Sequence, residues 1–233
     1  MARRSGRPAK GAAMKLVNLL ATAAMAILAA AAPAAADSCM QNACATRLTG
    51  VVSSGPSGDA HPVARAAVAI YRAGEGAPQL LAQTFANVHG EFSVSVPRQA
   101  ADETRYVVAG NGAVAFMTVI SAGDPSRLRI DEVTTVASAY AMAQFLTDGR
   151  ISGKALPLSV AAGMFRNLAA AGDGTVSRVL QASPNADETN ARREVATLAN
   201  ILAGCAREAQ RCQPLFDLTD DGRRPATTLE AIT

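Results

Sequence analysis

From residue 46 to 120 apolar and polar residues alternate in short runs, and from residue 131 onward apolar residues recur at intervals of three and four. The first pattern is that of half-buried strands and the second that of amphipathic helices. Residues 47–52 read as a first strand, ended by a loop rich in Ser, Gly and Pro at 53–59. Val68 and Ile70 alternate with Ala67, Ala69 and Tyr71 in a second, and residues 80–85 make a third. After a turn at 87–90, Phe92, Val94 and Val96 alternate with Glu91, Ser93 and Ser95 until Pro97 stops the run. Residues 106–109 and 114–120 supply two more strands, joined by Gly110, Asn111 and Gly112. Short strands at this spacing predict a small antiparallel sandwich.

In the second half, Asp131 or a neighbour caps a helix whose inner face takes Val133, Val136, Ala137 and Tyr140, widened by Met142, Phe145 and Leu146 and ended by Gly149. A second helix fits 159–171 with Val160, Met164 and Leu168 inward, followed by a break at Gly172, Asp173 and Gly174. A short third holds Val176, Val179 and Leu180, and the longest runs over 189–208 with Val195, Leu198, Ala199, Leu202 and Ala206 on one stripe. Asn167 and Asn200 read as buried hydrogen-bonding residues. Helices with such short connections predict a compact bundle. The expected fold is α+β by domains: an N-terminal antiparallel β-sandwich at 46–120, a linker at 121–130 and a C-terminal α-helical bundle at 131–233.

Composition changes the picture mainly at the N-terminus. From Met14 a basic residue, an apolar run and Ala34-Ala35-Ala36 make a secretory signal over residues 1–36, with cleavage expected between Ala36 and Asp37. Met14 and Lys15 open a complete signal on their own, so translation is expected to start there. Pro33 breaks the alanine-rich run and disfavours an uncleaved anchor. No lipobox precedes Cys39 or Cys44, and Arg3-Arg4 lack the apolar positions of a twin-arginine signal. The expected location is secreted or periplasmic.

The formal charge of +3 includes Arg3, Arg4, Arg7, Lys10 and Lys15; without them 17 basic residues face 19 acidic ones, a net charge near −2. Such a mature chain has no footprint for nucleic acid, and no membrane association is expected after cleavage. With no Trp, the cores fall to Ala, Val, Leu and Ile.

Four cysteines in an exported chain favour disulfides, and of the three connectivities the spacing points to Cys39 with Cys44, in an N-terminal segment at 37–45, and Cys205 with Cys212. Seven helical steps would hold Cys205 and Cys212 roughly 10 Å apart, beyond disulfide reach. The helix carrying Cys205 therefore ends before Cys212. Neither pair has C-x-x-C spacing and His61 and His89 lie far off, so no zinc and no other metal or cofactor is expected.

Candidate chemistry is sparse. Ser57, Asp59 and His61 mimic a hydrolase triad, but alternate residues of one Gly-Pro loop are not preorganised for catalysis. Residues 217–222 match the start of a calcium loop, yet its twelfth position is Thr228 where a bidentate Glu is needed. Glu132 has the chemistry of an acid or base, and also suits a helix N-terminus through the dipole. No phosphate loop, H-E-x-x-H or G-x-S-x-G is present.

Gly50-x-Val52, Pro62-Val63-x-x-Ala66-x-Val68-x-Ile70 and Thr84 ahead of Gly90-x-Phe92-x-Val94-x-Val96 resemble the carboxypeptidase regulatory-like domains, transthyretin-like β-sandwiches of exported bacterial proteins. The resemblance implies a structural module without peptidase residues. Glu132-x-Thr134-Thr135-Val136-Ala137, Ile151-Ser152-Gly153, Ala162-Gly163-Met164, Pro184-Asn185 and Leu198 to Leu202 with Cys205 and Cys212 resemble a helical region of exported bacterial proteins. There it stands between a sandwich module and NHL-like β-propeller repeats. The expected function is an exported, non-enzymatic binding or scaffolding protein of the cell envelope, its partner an envelope protein or polysaccharide. Loops 53–61 and 74–78 are the expected contact sites. The rival is an accessory or truncated remnant of a propeller-bearing, streptogramin lyase-like extracellular protein. A sugar-binding role is disfavoured by the scarcity of aromatic residues for stacking.

Overall fold

Ten consecutive extended residues, β1 (Ala45–Ser54), organise the first sheet in the computed structural model, which describes residues 45–56 and 58–233. The chain continues through β2 (His61–Pro62), β3 (Ala67–Arg72), β4 (Gln79–Phe85), β5 (Glu91–Pro97), β6 (Arg105–Asn111), β7 (Val114–Ile120) and β8 (Arg127–Ile130). β1 pairs antiparallel with β2 and β5 and parallel with β8. The second sheet has the order β4-β3-β6-β7 and is antiparallel throughout. The fold is a mixture of sheets and helices.

The strand boundaries follow the alternation closely, and Val114–Ile120 is met at both ends. The stretch 121–130, expected as a linker, is corrected by β8. Arg127-Leu128-Arg129-Ile130 puts Leu128 and Ile130 inward and joins β1, so the first sheet carries one parallel pairing. Gly50 makes that three-strand layer possible: a Cβ there would sit 2.6 Å from both the Leu128 carbonyl oxygen and the Phe92 ring. Leu48, Val52, Phe92 and Leu128 of the first sheet share one hydrophobic core with Val68, Ile70, Val107 and Phe116 of the second.

Beyond β8 come α1 (Glu132–Met142), the short pair β9 (Leu146–Thr147) and β10 (Arg150–Ile151), and α2 (Ala155–Leu168). They are followed by β11 (Ala169–Ala170), β12 (Thr175–Val176), α3 (Arg178–Gln181), α4 (Ala191–Arg207) and α5 (Cys212–Leu218). The first helix is shorter than the apolar pattern implied. Asp148 and Gly149, both at positive φ, turn the chain between β9 and β10 instead of closing the helix. Within α1, Val136 and Ala137 are buried as expected, whereas Tyr140 is exposed.

α2 is out of phase with the sequence reading. Leu158, Ala161, Ala162 and Phe165 face inward, while Val160 and Met164 are 61% and 53% exposed. The helix is apolar on nearly every side, so periodicity gave no unique inner face. α4 keeps the expected stripe, with Val195, Ala199 and Leu202 buried against Val136 and Leu180. After α5 a single 3-10 turn follows at Glu230–Ile232.

Residues 45–233 lie in a single compact unit. The helices do not stand apart: α1 packs on β7 as well as on α2 and α4, and Ala137, Met142, Leu158 and Phe165 belong to the same core as the two sheets.

Candidate binding surfaces

The residues singled out at the start of α1 converge on one buried polar node. Asp131 is the N-cap: its carboxylate accepts from the Thr134 N–H at 3.0 Å, while Thr134 Oγ1 accepts from the Asp131 N–H at 3.0 Å. This reciprocal pair satisfies two backbone donors that a helix start otherwise leaves open. The other Asp131 oxygen accepts from Arg129 Nε at 2.8 Å, and Arg129 Nη2 donates onward to the Gly55 carbonyl at 3.2 Å. Glu132 accepts from the Ser54 hydroxyl and from the Gly55 N–H at 3.2 Å. Thr135 Oγ1 donates to the Asp131 carbonyl and accepts from the Met117 N–H of β7 at 3.0 Å. The node thus ties β1, β7, β8 and α1 together.

Burial dominates its electrostatics. Loss of solvent pushes the Asp131 carboxyl up to about 6, with the Thr134 N–H and Arg129 opposing and Glu132 adding to the rise. Burial also raises Glu132, against the Ser54 hydroxyl and the Gly55 N–H. Gly174 explains the break read at 172–174. It holds φ +67°, and a Cβ there would lie 2.1 Å from Asp131 Oδ2, so the chain can pass the carboxylate only as glycine.

Above the node lies a cleft of about 240 Å³, lined by Gly55, Pro56, Glu132, Val176, Ala199 and Asn200 among others. The cleft joins the 53–61 loop to α4. Asn200 and Asn167 are exposed and not buried as expected, because each falls on the outer side of its helix. The carboxylate oxygens of the node are engaged by the backbone and side chains just named, which makes the arrangement an anchor for the β1–β2 loop.

Other candidates are scattered. His61 Nε2 and Asp59 Oδ1 are 3.9 Å apart on a solvated loop, and Ser57 lies outside the described residues. Asp217 pairs with Arg224, and Asp220 accepts from the Gly222 N–H at 2.9 Å, an acidic turn closed on itself. Among the described residues no three His, Cys, Asp or Glu gather as a metal site would need. Cys205 and Cys212 form a disulfide, with α4 ending at Arg207 and α5 beginning at Cys212. Ala36, Asp37, Cys39 and Cys44 lie outside the described residues.

The second sheet carries a surface that the sequence reading passed over. α1 and α2 pack on β7, where Met117 and Val119 are fully buried. Across β3, β4, β6 and the start of β7 the sheet stays open as a groove of about 540 Å³, walled by Ala67, Ala69, Val108, Gly110 and Val114, with Gln83 and Phe85 at β4. None of the described residues lining it is charged. Phe85 is 74% exposed. The available signal was on β3, where Ala67, Ala69 and Tyr71 set a second apolar face opposite Val68 and Ile70, as in a strand with something packed on both sides.

No protein-family model matches this chain, and no curated protein is similar to it.

Proposed function

We propose that this protein is an exported, non-enzymatic binding or scaffolding component of the cell envelope, and that it holds a polypeptide partner on the open half of the second sheet. In this reading the two sheets form a sandwich of the transthyretin-like type seen in carboxypeptidase regulatory-like domains. Residues 131–233 act as a helical brace along its β7 edge. Residues 1–36 are the signal removed between Ala36 and Asp37, leaving the mature chain secreted or periplasmic, where its cysteine pairs stay oxidised.

The observation that carries the proposal is the charge-free groove with Phe85 at its rim. Apolar grooves of this size on a solvated sheet mark interaction sites, and aromatic side chains standing in them are the usual anchors. Walls of Ala, Val and Gly suit the apolar side chains of a polypeptide. A polysaccharide would have to bury its hydroxyls there without partners, at a cost.

The test is photocrosslinking in cells, with the reactive residue at position 83 in the groove, at position 58 in the first loop or at position 76 in the second. A discrete adduct from position 83 is expected, with little from 58 or 76. Adducts from the loops alone would overturn the assignment of the groove.

A further inference from the structure

Between the two sheets, at the end of β1 opposite the 53–61 loop, lies a cavity of about 280 Å³. Its floor is aliphatic: Leu48 of β1, Ile70 of β3, Val96 of β5 and Ile120 of β7, all buried. Its mouth is polar, with Arg98, Gln99 and Arg105 on one side and the 122–126 loop on the other. That mouth is held in place from several directions. Arg166 of α2 pairs with Asp124 at 3.1 Å and donates to the Ala122 carbonyl at 3.3 Å, and the Thr49 N–H donates to the Ser126 carbonyl at 2.8 Å. Gln99 Nε2 bridges the carbonyls of Glu103 and Ile120 at 2.8 and 3.2 Å.

The charges around the mouth do not cancel. Arg105, whose side chain is only 3% exposed, carries five guanidinium N–H groups. Three go to Glu103 and to the carbonyls of Pro97 and Arg98. The other two have no acceptor among the described residues, and a buried donor is costly unless water or a ligand supplies one. Glu103 is shared, since Arg72 donates to the same carboxylate oxygen at 3.0 Å. Asp124 is spent on Arg166 and the Ser121 N–H. Arg98 is exposed and forms no ion pair among the described residues. Even with the exposed Asp102 of the same connection counted, four guanidiniums (Arg72, Arg98, Arg105, Arg166) face three carboxylates (Asp102, Glu103, Asp124).

We infer that this cavity binds a small organic monocarboxylate, its carboxylate on Arg98 and the open N–H groups of Arg105 and its aliphatic or aromatic body on the floor. A concave apolar floor with a few fixed polar groups at its rim is the form of a small-molecule site. The two oxygens of a carboxylate match the fork of a guanidinium, and a single negative charge matches the surplus. The four aliphatic side chains of the floor select against an inorganic anion or a sugar, which would bury polar atoms there without partners. The volume equals that of about nine waters, room for an acid of about ten non-hydrogen atoms. The cavity shares no lining residue with the groove on the second sheet, so the inference stands apart from the partner proposed for that groove.

Isothermal titration calorimetry of the full exported chain with sodium octanoate tests this, with octanol and octylammonium as probes carrying the same tail. Amide chemical shifts locate the site. Octanoate is expected to bind with a Kd on the order of 100 μM, roughly tenfold tighter than either of the other probes, and to shift the amides of residues 98–99 and 122–126. Arg98→Gln changes an exposed residue and leaves the floor intact; it is expected to weaken octanoate roughly tenfold and to leave octanol unchanged. No octanoate binding up to about 5 mM, octanol bound as tightly as octanoate, or shifts confined to Gln83, Thr84 and Phe85 would each overturn the inference. An Arg98→Gln chain that binds octanoate as tightly as the wild type would overturn the anion site.

Discussion

Asp131→Ala is expected to lower the melting temperature by roughly 8–16 °C at neutral pH, through a loss of about 4 kcal/mol. Two terms add up to it. The cap to the Thr134 N–H disappears, which costs about 1 kcal/mol. Arg129, whose side chain is 16% exposed, loses its carboxylate partner and is left largely buried with only the Gly55 carbonyl, a loss on the order of 3 kcal/mol. Asp131→Asn keeps the N-cap acceptor but turns an amide N–H toward Arg129, so its loss should be smaller by only about the 1 kcal/mol of the cap. Thermal unfolding followed by circular dichroism checks both. A drop of about 2 °C or less for Asp131→Ala would show that the node contributes little.

The same node makes stability fall as pH rises from the ordinary carboxylate range through about 6. Asp131 is raised from 3.8 to about 6 in the folded chain, and Glu132 is also raised. Between those values the folded state holds protons that the unfolded state has lost. The stabilisation from this source is complete below the ordinary carboxylate range and is lost as pH rises through about 6. For Asp131 the change from pH 5 to 7.5 is about 1 to 2 kcal/mol, or roughly 3 to 6 °C.

Glu103 works in the opposite direction. Burial acts to raise it, but Arg105, the Ala100 N–H and Arg72 together hold it below its usual value, so its contribution is lost as pH falls through the acid range. The balance puts the stability maximum in the acid range, below pH 5. Melting temperatures measured from pH 4 to 8 should show that maximum, and Asp131→Asn should flatten the neutral limb. A wild type whose stability climbs steadily to pH 7.5 would contradict the role given to these carboxylates.

Strands were legible wherever apolar and polar residues alternated over six or more positions, as at Phe92, Val94 and Val96. β8 was hidden because four residues with two arginines, just after Pro125, look like a connection. Its identity as a strand depends on Gly50 and Thr49 some eighty residues earlier in the chain. α2 was legible as a helix but not in phase, since Leu156, Val160 and Met164 are as apolar as the residues that are buried. The polar node could be read only in part. Asp131 and Thr134 follow the spacing of a helix start, whereas the hydrogen bonds to Ser54, Gly55 and Met117 come from residues that no local rule connects.

The central claim is that the helices and the two sheets form one cooperative unit joined at residues 131–135, so that half of the second sheet is covered and half stays open. The chain has no Trp and three Tyr, two of which, Tyr71 and Tyr106, stack with ring centroids 5.2 Å apart on β3 and β6. In a Tyr140→Phe variant tyrosine emission therefore reports the sheet, while far-ultraviolet circular dichroism reports mainly the helices. Denaturant unfolding followed by both signals should give coincident transitions. Loss of the helical signal at lower denaturant, with the Tyr71–Tyr106 signal still native, would show that the helices are a separate domain and would contradict the account.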